Sequence, residues 1–382
     1  MSDTGTSSQG DRTAHSWSLR VRRWRNRVIA SPRFRRIAAR TPLLRSVARR
    51  STKQLFDLTA GFTYTQALYT FVETGVGNAL APEPKRLADL AHAKPEHSSE
   101  TIERVLEGAL GIGLVVRHGD LFALSDLGTA LMNEPGLLAM VRHHAIVYRD
   151  LVEPVALLRG ETKPETADFW QYAGGRSAEG TDAAGAARYS ELMAVTQGFV
   201  ADEVISAYPF RRHRHVCDIG GGSGAFIERV AATAPNARLT VFDLPDVVPL
   251  AEKRFRAVGI SERTRTVGGS FYTDPLPSDA DLYTLVRVLY DHDDEPAARL
   301  LSNVRRTMPK DATLLLAEPM AGLAAAESVG TYFTYYLAAM RSGRCRSPQR
   351  IMQLLKDAGF VGARTHRVRN PVFTGLVTAT AH

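Results

Sequence analysis

The sequence predicts an α/β protein: a doubly wound, seven-stranded sheet preceded by a smaller helical domain. From residue 215 onward, five apolar strand segments alternate with amphipathic helices, which is typical of a parallel sheet with helices on both faces. A helix with Ser347 as its cap and Pro348 at its first position leads to two more strands, near 362–369 and 372–379. This final pair would add one antiparallel strand. The first five strands are predicted at Val216–Ile219, Arg238–Phe242, Arg265–Val267, Leu282–Val286 and Thr313–Ala317.

Residues 54–135 predict a small, mostly helical domain. Leu55–Asn78 form a long helical stretch that Gly61 interrupts, a short helix follows, and a third helix begins after a cap at Ser98 or Ser99. A hairpin then turns at residues 118–120. Three helices followed by a hairpin are typical of a winged-helix domain.

DNA binding is the commonest role of a winged helix, but the charge of the third helix argues against it. That helix carries Glu100, Glu103 and Glu107 against a single Arg104. Carboxylates at this surface would repel phosphate, where nucleic-acid binding needs Lys and Arg. We therefore expect a winged-helix-like dimerisation domain at 54–135 and no nucleic-acid partner.

The basic charge of the chain is concentrated in an N-terminal arm. Residues 1–53 contain 14 Lys or Arg against two Asp, a net charge of +12, whereas the remaining residues carry −4. Residues 1–15 are polar, and we expect them to be disordered. Within residues 16–50, apolar side chains that include Trp17 and Trp24 recur at helical spacing among arginines, until Ser31-Pro32 ends the first helix. Peripheral contact with an anionic membrane is one interpretation; a solvated tail and an organelle-targeting peptide are the others.

Apolar runs and cysteines limit where the protein works. No apolar run approaches the roughly 20 residues that span a bilayer, and no secretory signal is visible. Cys217 and Cys345 fit a reducing compartment, and their spacing fits no metal site. We expect a cytoplasmic protein without a bound metal, peripheral to the membrane if the arm binds lipid.

A glycine-rich turn follows the first strand of the sheet. Asp218 ends this strand, and Gly220, Gly222 and Gly224 would allow the backbone to approach a ligand closely. The second strand ends in Asp243, which is placed to accept hydrogen bonds from both ribose hydroxyls. A dinucleotide site would use the same glycines. Asp218 instead favours a nucleoside with a cationic amino-acid portion, because its carboxylate would repel a pyrophosphate.

Five motifs at matching spacings carry a resemblance to a known class of enzymes. The sequence resembles class I O-methyltransferases of the caffeate and polyketide type, and in particular bacterial hydroxycarotenoid O-methyltransferases of the demethylspheroidene type. The basic arm and the segment Met340–Pro348 point to this subgroup. The five motifs are Asp218–Phe226, Phe242–Pro245, Gly268–Phe271, Arg287–Glu295 and Leu315–Pro319.

The resemblance implies a Rossmann-like methyltransferase sheet at 213–382 and a homodimer held by the N-terminal domain. It also implies S-adenosyl-L-methionine as methyl donor, with S-adenosyl-L-homocysteine as product. In many relatives the position of Ser270 is an aspartate near the adenine amine, and Ser270 would accept that bond more weakly. The residues implied to contact the cofactor are Asp218, Gly220, Gly222, Asp243, Leu244, Ser270 and Phe271.

The segment that supplies the base in phenol-methylating relatives departs from their pattern. Their motif is His-Asp-Trp-x-Asp, whereas this chain has Tyr290-Asp-His292-Asp-Asp294. Tyr290 would position the acceptor hydroxyl, and Glu318, which matches a flanking glutamate of relatives, would assist; Cys345 replaces a second one. Tyrosine has a pKa of about 10 and is a poor base at pH 7, so alignment would do most of the catalysis. The alternative is His292 as base, although we favour a structural role for it.

Residues 136–212 predict a helical connector that contributes to the acceptor pocket. The expected reaction is methylation of a hydroxyl group on an apolar molecule, a demethylspheroidene-like hydroxycarotenoid of carotenoid biosynthesis. Methylation of a polyketide, a phenol or a tetrapyrrole carbon stays open. So do a ligand-responsive DNA-binding regulator with a degenerate methyltransferase domain and a nicotinamide-dependent oxidoreductase. The apolar pocket candidates are Phe169, Trp170, Tyr172, Met193, Phe333, Tyr336 and Met340.

Overall fold

The N-terminal arm is helical in the computed structural model, which describes residues 7–170, 196–198, 200–324, 326–372 and 374–382. Helix α1 covers Ser7–Ala30 and α2 covers Pro32–Arg40. They separate at Ser31, whose side chain accepts a hydrogen bond from the amide of Phe34. The predicted disorder is wrong for residues 7–15, because α1 already includes them. Within the described ranges, no helix combines the length and the apolar character needed to cross a membrane.

A small helical domain with a three-stranded sheet follows the arm. The antiparallel strands lie in the order β1-β3-β2, and β2 and β3 form the predicted hairpin. Its apolar core includes Phe71, Leu90, Ile102 and Leu106, which come from three helices. The elements are α3 (Pro42–Glu73), α4 (Val76–Leu80), β1 (Lys85–Arg86), α5 (Leu87–Ala93), α6 (Ser99–Gly111), β2 (Val115–His118), β3 (Leu121–Leu124) and α7 (Asp126–Met132).

Two local predictions in this domain have different outcomes. Ser98 is the N-cap of α6, and its side chain accepts a hydrogen bond from the amide of Thr101, as its sequence position predicts. The interruption predicted at Gly61 is wrong, because α3 continues from Pro42 to Glu73 through that glycine. A single glycine costs a helix only about 1 kcal/mol relative to alanine, which the rest of a long helix can offset.

Short helices connect this domain to the large sheet. They are α8 (Pro135–Asp150), α9 (Pro154–Arg159) and α10 (Glu165–Phe169), and residues 200–207 form α11. The side chain of Asp150 accepts hydrogen bonds from the amides of Glu165 and Thr166, at 2.7 and 2.8 Å. This caps the start of α10 and places Phe169 and Trp170 beside α8.

The seven predicted strands form one sheet in the order β6-β5-β4-β7-β8-β10-β9. Strands β4 and β7 are buried along their whole length, as expected when helices cover both faces of a parallel sheet. Strand β10 runs antiparallel to both of its neighbours, which confirms the predicted single antiparallel strand. The strands are β4 (His215–Ile219), β5 (Arg238–Asp243), β6 (Thr264–Gly268), β7 (Leu282–Val286), β8 (Thr313–Glu318), β9 (Phe360–His366) and β10 (Gly375–Ala381).

Helices pack on both faces of this sheet and form two apolar layers with it. Ser347 caps the last helix by accepting a hydrogen bond from the amide of Arg350, as predicted. The strand order reverses between β4 and β7, and ligands of such sheets bind outside the carboxyl ends of the strands at that point. The helices are α12 (Ala225–Thr233), α13 (Val248–Ala257), α14 (Asp294–Thr307), α15 (Glu327–Met340) and α16 (Pro348–Asp357).

Candidate functional site

The glycine turn joins β4 to α12 at the crevice where the strand order reverses. Gly220, Gly222 and Gly224 all have positive φ, from +56 to +75°, which favours glycine. A Cβ at Gly220 would lie 2.9 Å from Cγ2 of Val288, and one at Gly224 would lie 2.6 Å from the ring of Phe255. A Cβ at Gly222 would meet nothing within 4 Å. The turn is therefore packed tightly on its inner side and open on its outer side.

Asp218 lies beneath this turn. Its Oδ1 accepts a 2.6 Å hydrogen bond from the hydroxyl of Thr284, its register partner on β7. Its Oδ2 lies 2.7 Å from the position that a Cβ of Gly221 would occupy. Burial raises the pKa of this carboxyl to about 7. A cation bound over the turn would favour the ionised carboxylate, in agreement with the amino-acid portion expected there.

Asp243 connects the end of β5 to the same turn. One carboxylate oxygen accepts from the amide of Gly222 and the other from the amide of Leu244, both at 2.7 Å. Burial raises the pKa of Asp243, and these two amide bonds oppose the rise. Each oxygen keeps a second lone pair, so the fixed carboxylate can also accept hydrogen bonds from a ribose.

The loop after β6 brings Ser270 and Phe271 to the same edge of the sheet. The amide of Ser270 donates to Oδ2 of Asp274 over 2.9 Å, and the carbonyl of Phe271 accepts from the side chain of Asn303 over 2.8 Å. The sequence pattern did not indicate Asp274, because relatives have the corresponding aspartate four positions earlier, at the position of Ser270. An acidic group is nevertheless present at this loop, through a turn in which Asp274 folds back on Ser270.

His292 lies against this loop. Its Nδ1 is 2.9 Å from the hydroxyl of Tyr272, and its ring packs edge-on against Phe271 and Tyr272. Burial and the nearby Arg346 lower the pKa of His292 to about 4, so it is neutral at physiological pH. These contacts favour the structural role of His292 over its role as a base.

Tyr290 and Glu318 lie together at the ends of β7 and β8. The amide of Tyr290 donates to Oε2 of Glu318 over 3.0 Å, while Oε1 has no partner in the part of the chain that the structure describes. Burial raises the pKa of Glu318 to about 8 and that of the Tyr290 phenol well above its usual range. Tyr290 is therefore a neutral hydrogen-bonding group at physiological pH.

Arg287 and Asp291 flank Tyr290 and were not singled out from the sequence. Arg287 has a φ of +59°, unusual for a residue with a side chain, and its Nη1 donates to the hydroxyl of Thr196 over 2.8 Å. Asp291 is buried, and its Oδ1 has no hydrogen-bond partner among the described residues. Both belong to the motif Arg287–Glu295, but only their positions in the fold, beside Tyr290, make them candidate site residues.

A cluster of apolar and aromatic side chains lies beside Tyr290. The ring of Phe333 meets that of Tyr290 edge-on at 5.5 Å between centroids. Five predicted pocket residues belong to this cluster, namely Phe169, Trp170, Phe333, Tyr336 and Met340. The other two, Tyr172 and Met193, lie outside the described residues. Side chains far apart in sequence are thus brought together where an apolar acceptor would need them.

Two adjacent histidines of α8 extend this cluster and were missed from the sequence. The hydroxyl of Tyr336 accepts from Nε1 of Trp170 over 2.9 Å and lies 2.6 Å from Nε2 of His143. Because the indole can only donate, the phenolic proton of Tyr336 is free to be donated to His143. His144 contacts the hydroxyl of Tyr332 over 2.8 Å, and burial lowers the pKa of both histidines to about 4. They are therefore neutral parts of the wall.

A cleft of about 740 Å³ lies along α12, and residues at the start of α8 and on α11 and α13 complete its lining. Its three arginines already have partners: Arg254 bonds Glu228, Arg229 pairs with Asp202, and Arg263 bonds the carbonyls of Ala231 and Ala234. We assign no chemistry to this cleft. Across the described residues, no three His, Cys, Asp or Glu side chains are grouped so as to hold a metal ion.

Known proteins resemble this chain over nearly its whole length. Residues 148–361 match the family described as an O-methyltransferase domain. The chain is 41% identical to demethylspheroidene O-methyltransferase of Cereibacter sphaeroides, over 92% of this chain and 93% of that protein. It is 40% identical to the enzyme of the same name from Rhodobacter capsulatus, over 92% and 88% of the two chains. A methyltransferase of calicheamicin biosynthesis, solved in its SAH-bound form, is similar in structure with a TM-score of 0.73 at 26% identity, over 87% and 98% of the two chains.

Proposed function

The chain belongs to the O-methyltransferase family, and from that membership we propose that it methylates a hydroxyl group of a hydroxycarotenoid such as demethylspheroidene. The observation that carries the proposal is the 41% identity to demethylspheroidene O-methyltransferase over 92% of this chain. The chain is an enzyme whose methyl donor is S-adenosylmethionine. The comparisons do not favour the oxidoreductase and DNA-binding alternatives.

The glycine turn and the two loops beside it fit the donor. When bound, S-adenosylmethionine supplies a methyl group activated by a sulfonium. The open side of Gly222 leaves room for its amino-acid portion, and Asp243 offers its remaining lone pairs to the ribose. Phe271 offers an aromatic face for the adenine, and Asp274 an acidic acceptor near its amine. Each part of the donor thus has a chemically matched group at the carboxyl edge of the sheet.

The aromatic cluster fits a polyene acceptor. A carotenoid chain has no hydrogen-bonding groups, so its affinity must come from apolar and aromatic contact. The described cluster offers such contact, and its polar atoms are satisfied internally, as in the bond from Trp170 to Tyr336 and the bond between Tyr336 and His143. Tyr172 and Met193 stay predicted members of this wall.

Tyr290 positions the acceptor oxygen. Methyl transfer is an in-line displacement, and alignment in a dry site supplies much of its acceleration. Because burial raises its pKa, the Tyr290 phenol keeps its proton and can donate a hydrogen bond to the acceptor oxygen. Glu318 assists by fixing the backbone of Tyr290 through its 3.0 Å bond.

We also infer a homodimer, with α3 at its interface. Leu55, Phe56, Leu58 and Phe62 lie within about two turns of that helix and are 66, 63, 81 and 72% exposed. A group of large apolar side chains on one helix is typical of a protein contact, whereas exposed apolar residues scattered singly are not. We take a second copy of the chain as the partner, because most soluble oligomers are closed assemblies of identical chains, most often two-fold symmetric dimers.

The basic arm would bring the enzyme to its acceptor. A hydroxycarotenoid is apolar enough to dissolve in a membrane. Helix α1 exposes Trp17 and Trp24, at 70 and 62%, among the arginines of an arm whose charge is +12. Tryptophan inserts at the lipid interface, and arginine is attracted to anionic headgroups. These features support peripheral contact with anionic membranes rather than a solvated tail.

A panel of acceptors tests the proposed function. Purified full-length protein is incubated with methyl-labelled S-adenosylmethionine and one acceptor at a time: a demethylspheroidene-type hydroxycarotenoid in anionic vesicles, a simple phenol, and a polyketide phenol. We expect labelled product from the hydroxycarotenoid alone. Labelling of a phenol without labelling of the hydroxycarotenoid would overturn the acceptor assignment and leave the family assignment intact.

A further inference from the structure

We propose that Asp291 is a catalytic residue that accepts the proton of the acceptor hydroxyl as the methyl group is transferred. The inference rests on the proposed O-methylation and adds a function that Tyr290 does not perform. Asp291 is only 7% exposed, and its Oδ1 has no hydrogen-bond partner in the described ranges. Buried polar atoms are nearly always paired, so a buried carboxylate oxygen without a partner points to a group that arrives with the substrate.

The turn that carries Asp291 is held rigidly. Residues Leu289–Asp291 form one turn of 3-10 helix. The fully buried guanidinium of Arg346 donates to the carbonyls of Leu289 and His292, at 3.0 and 2.7 Å. The amide of Arg344 donates to the carbonyl of Tyr290 over 2.8 Å. Asp291 thus lies in a fixed position, as catalysis by a proton acceptor requires.

The neighbouring candidates for the proton are less suitable. His292 already has a hydrogen bond at Nδ1 with Tyr272, and Tyr290 is a neutral phenol. Burial raises the pKa of the Cys345 thiol to about 12, so no thiolate is present at neutral pH. Glu318 also has a carboxylate oxygen without a partner among the described residues, but its side chain has no exposed surface, and its pKa of about 8 leaves it mostly protonated at neutral pH. Asp291, which is next to Tyr290 in the chain, is therefore the remaining candidate for the proton acceptor.

The charges around Asp291 suit a proton acceptor at neutral pH. Burial raises its pKa to about 7, while the positive charge of Arg287 limits the rise. Glu318, at the end of β8, is a second carboxyl group that interacts electrostatically with Asp291. At a pH near its pKa, a carboxyl group is partly ionised, so a proton acceptor is present. A pKa of this height also makes the carboxylate a stronger base than an ordinary aspartate.

The proposed step balances in atoms and charge. The acceptor oxygen forms a bond to the methyl carbon, and the carbon–sulfur bond of S-adenosylmethionine breaks, with its electron pair staying on sulfur. The O–H proton moves to Oδ1 of Asp291. The sulfonium charge and the carboxylate charge both disappear, so the buried site never holds an uncompensated charge.

The test compares Asp291→Asn with a matched variant, Asp311→Asn, at an exposed turn before β8. Single-turnover rates are measured with a hydroxycarotenoid in vesicles, and kcat/KM for S-adenosylmethionine is measured from pH 5.5 to 9. In the wild type we expect kcat/KM to fall below about pH 7. Asp291→Asn should lower the rate by about 10²-fold or more and remove that acid limb. Asp291→Glu, which retains a carboxylate, should keep the limb, and Asp311→Asn should match the wild type.

A binding measurement gives a second, independent readout. A sulfonium next to Asp291 favours the carboxylate, so S-adenosylmethionine should release more protons on binding at pH 7 than S-adenosylhomocysteine does. Calorimetry in buffers of different ionisation enthalpy measures this difference, which Asp291→Asn should reduce. An unchanged rate and pH profile in Asp291→Asn, or an unchanged proton release, would overturn the proposal. A wild type that methylates no hydroxycarotenoid would count against the proposed acceptor, and the calorimetry would still decide the role of Asp291.

Discussion

The backbone amide of Tyr290 donates a hydrogen bond to Oε2 of Glu318 across 3.0 Å. This bond ties the turn after β7 to the last residue of β8, so two adjacent strands of the sheet place the acceptor-side groups. The turn is held by its backbone, and its geometry does not depend on which side chain follows Leu289. A tyrosine can therefore stand where phenol-methylating relatives have histidine.

Glu318 should make the stability of the protein depend on pH. Burial raises its pKa to about 8 in the folded chain, whereas an unfolded glutamate titrates near pH 4.3. The contribution of Glu318 to the free energy of unfolding is therefore fully present below about pH 4 and is lost as the pH rises through 8. Glu318→Gln cannot ionise, so its free energy of unfolding should improve relative to the wild type from pH 5 to pH 8.5. Urea titrations at both pH values measure this difference. Parallel curves would contradict it, because the other buried carboxyls are the same in both proteins.

Asp243→Asn should weaken binding of the methyl donor. The carboxylate accepts from the amides of Gly222 and Leu244, and Asn keeps only one acceptor oxygen and no charge. Hydrogen bonds to charged groups are worth about 1.5–3 kcal/mol, so Kd should rise by roughly 10- to 100-fold. Calorimetry with S-adenosylhomocysteine measures Kd. Asp246→Asn, at an exposed position on the same loop, is the control, and equal affinity of both variants would refute the assignment.

Tyr336→Phe should destabilise the acceptor wall. Removing the hydroxyl takes away its hydrogen bond with Nε1 of Trp170 and leaves the buried Nε2 of His143 without it. An unpaired buried polar group costs about 1–3 kcal/mol, and KM for the acceptor should rise as the wall loosens. Tyr335→Phe, on the same helix but 37% exposed, should change the free energy of unfolding by less than about 0.5 kcal/mol. Urea unfolding and acceptor kinetics test both variants. Equal effects would mean that the shared hydroxyl has no special role.

Removing residues 1–40 should weaken membrane binding without unfolding the enzyme. The cut falls before α3, so the buried core of the N-terminal domain stays intact. Sedimentation with anionic and zwitterionic vesicles measures binding, and we expect the loss mainly with anionic lipid. The double variant Trp17→Ala, Trp24→Ala should bind anionic vesicles less tightly while keeping every arginine. Undiminished binding by the truncated protein would show that the arm is a solvated tail.

Charge placed on the exposed face of α3 should dissociate the dimer. Phe62→Glu puts a carboxylate among the exposed apolar side chains of that helix. Light scattering after size-exclusion chromatography should give a dimer for the wild type and a monomer for this variant. Val361→Glu, at an exposed position on β9, is the control and should stay dimeric. A monomeric wild type would remove α3 from consideration as an interface.

The sheet and the candidate donor site could be predicted because their signals are local. Alternating strands and helices, the cap at Ser347, and acids next to a glycine turn each lie within a few residues of one another. Burial of both faces keeps the central strands largely apolar, and the single antiparallel strand follows from the final strand pair. Predicted and observed strand ends consequently differ by only a few residues.

The acceptor side could be predicted only in part. No local pattern connects His143 with Tyr336, which lie 193 positions apart and meet only because α8 packs beside α15. Asp291 and Arg287 lie in the motif Arg287–Glu295, but the unpartnered oxygen of Asp291 and the bond from Arg287 to Thr196 can be seen only in the structure. Gly61 is the opposite case. A glycine locally predicts a helix break, but the residues on both sides of it keep α3 continuous.

The most direct test of the central claim is product analysis with trideuteromethyl S-adenosylmethionine and a demethylspheroidene-type hydroxycarotenoid in anionic vesicles. Mass spectrometry of the extracted carotenoid should show one trideuteromethyl group on oxygen, in place of the hydroxyl proton. A hydroxycarotenoid recovered unchanged, or labelled on carbon, while the same protein preparation binds the donor, would contradict the proposed O-methylation.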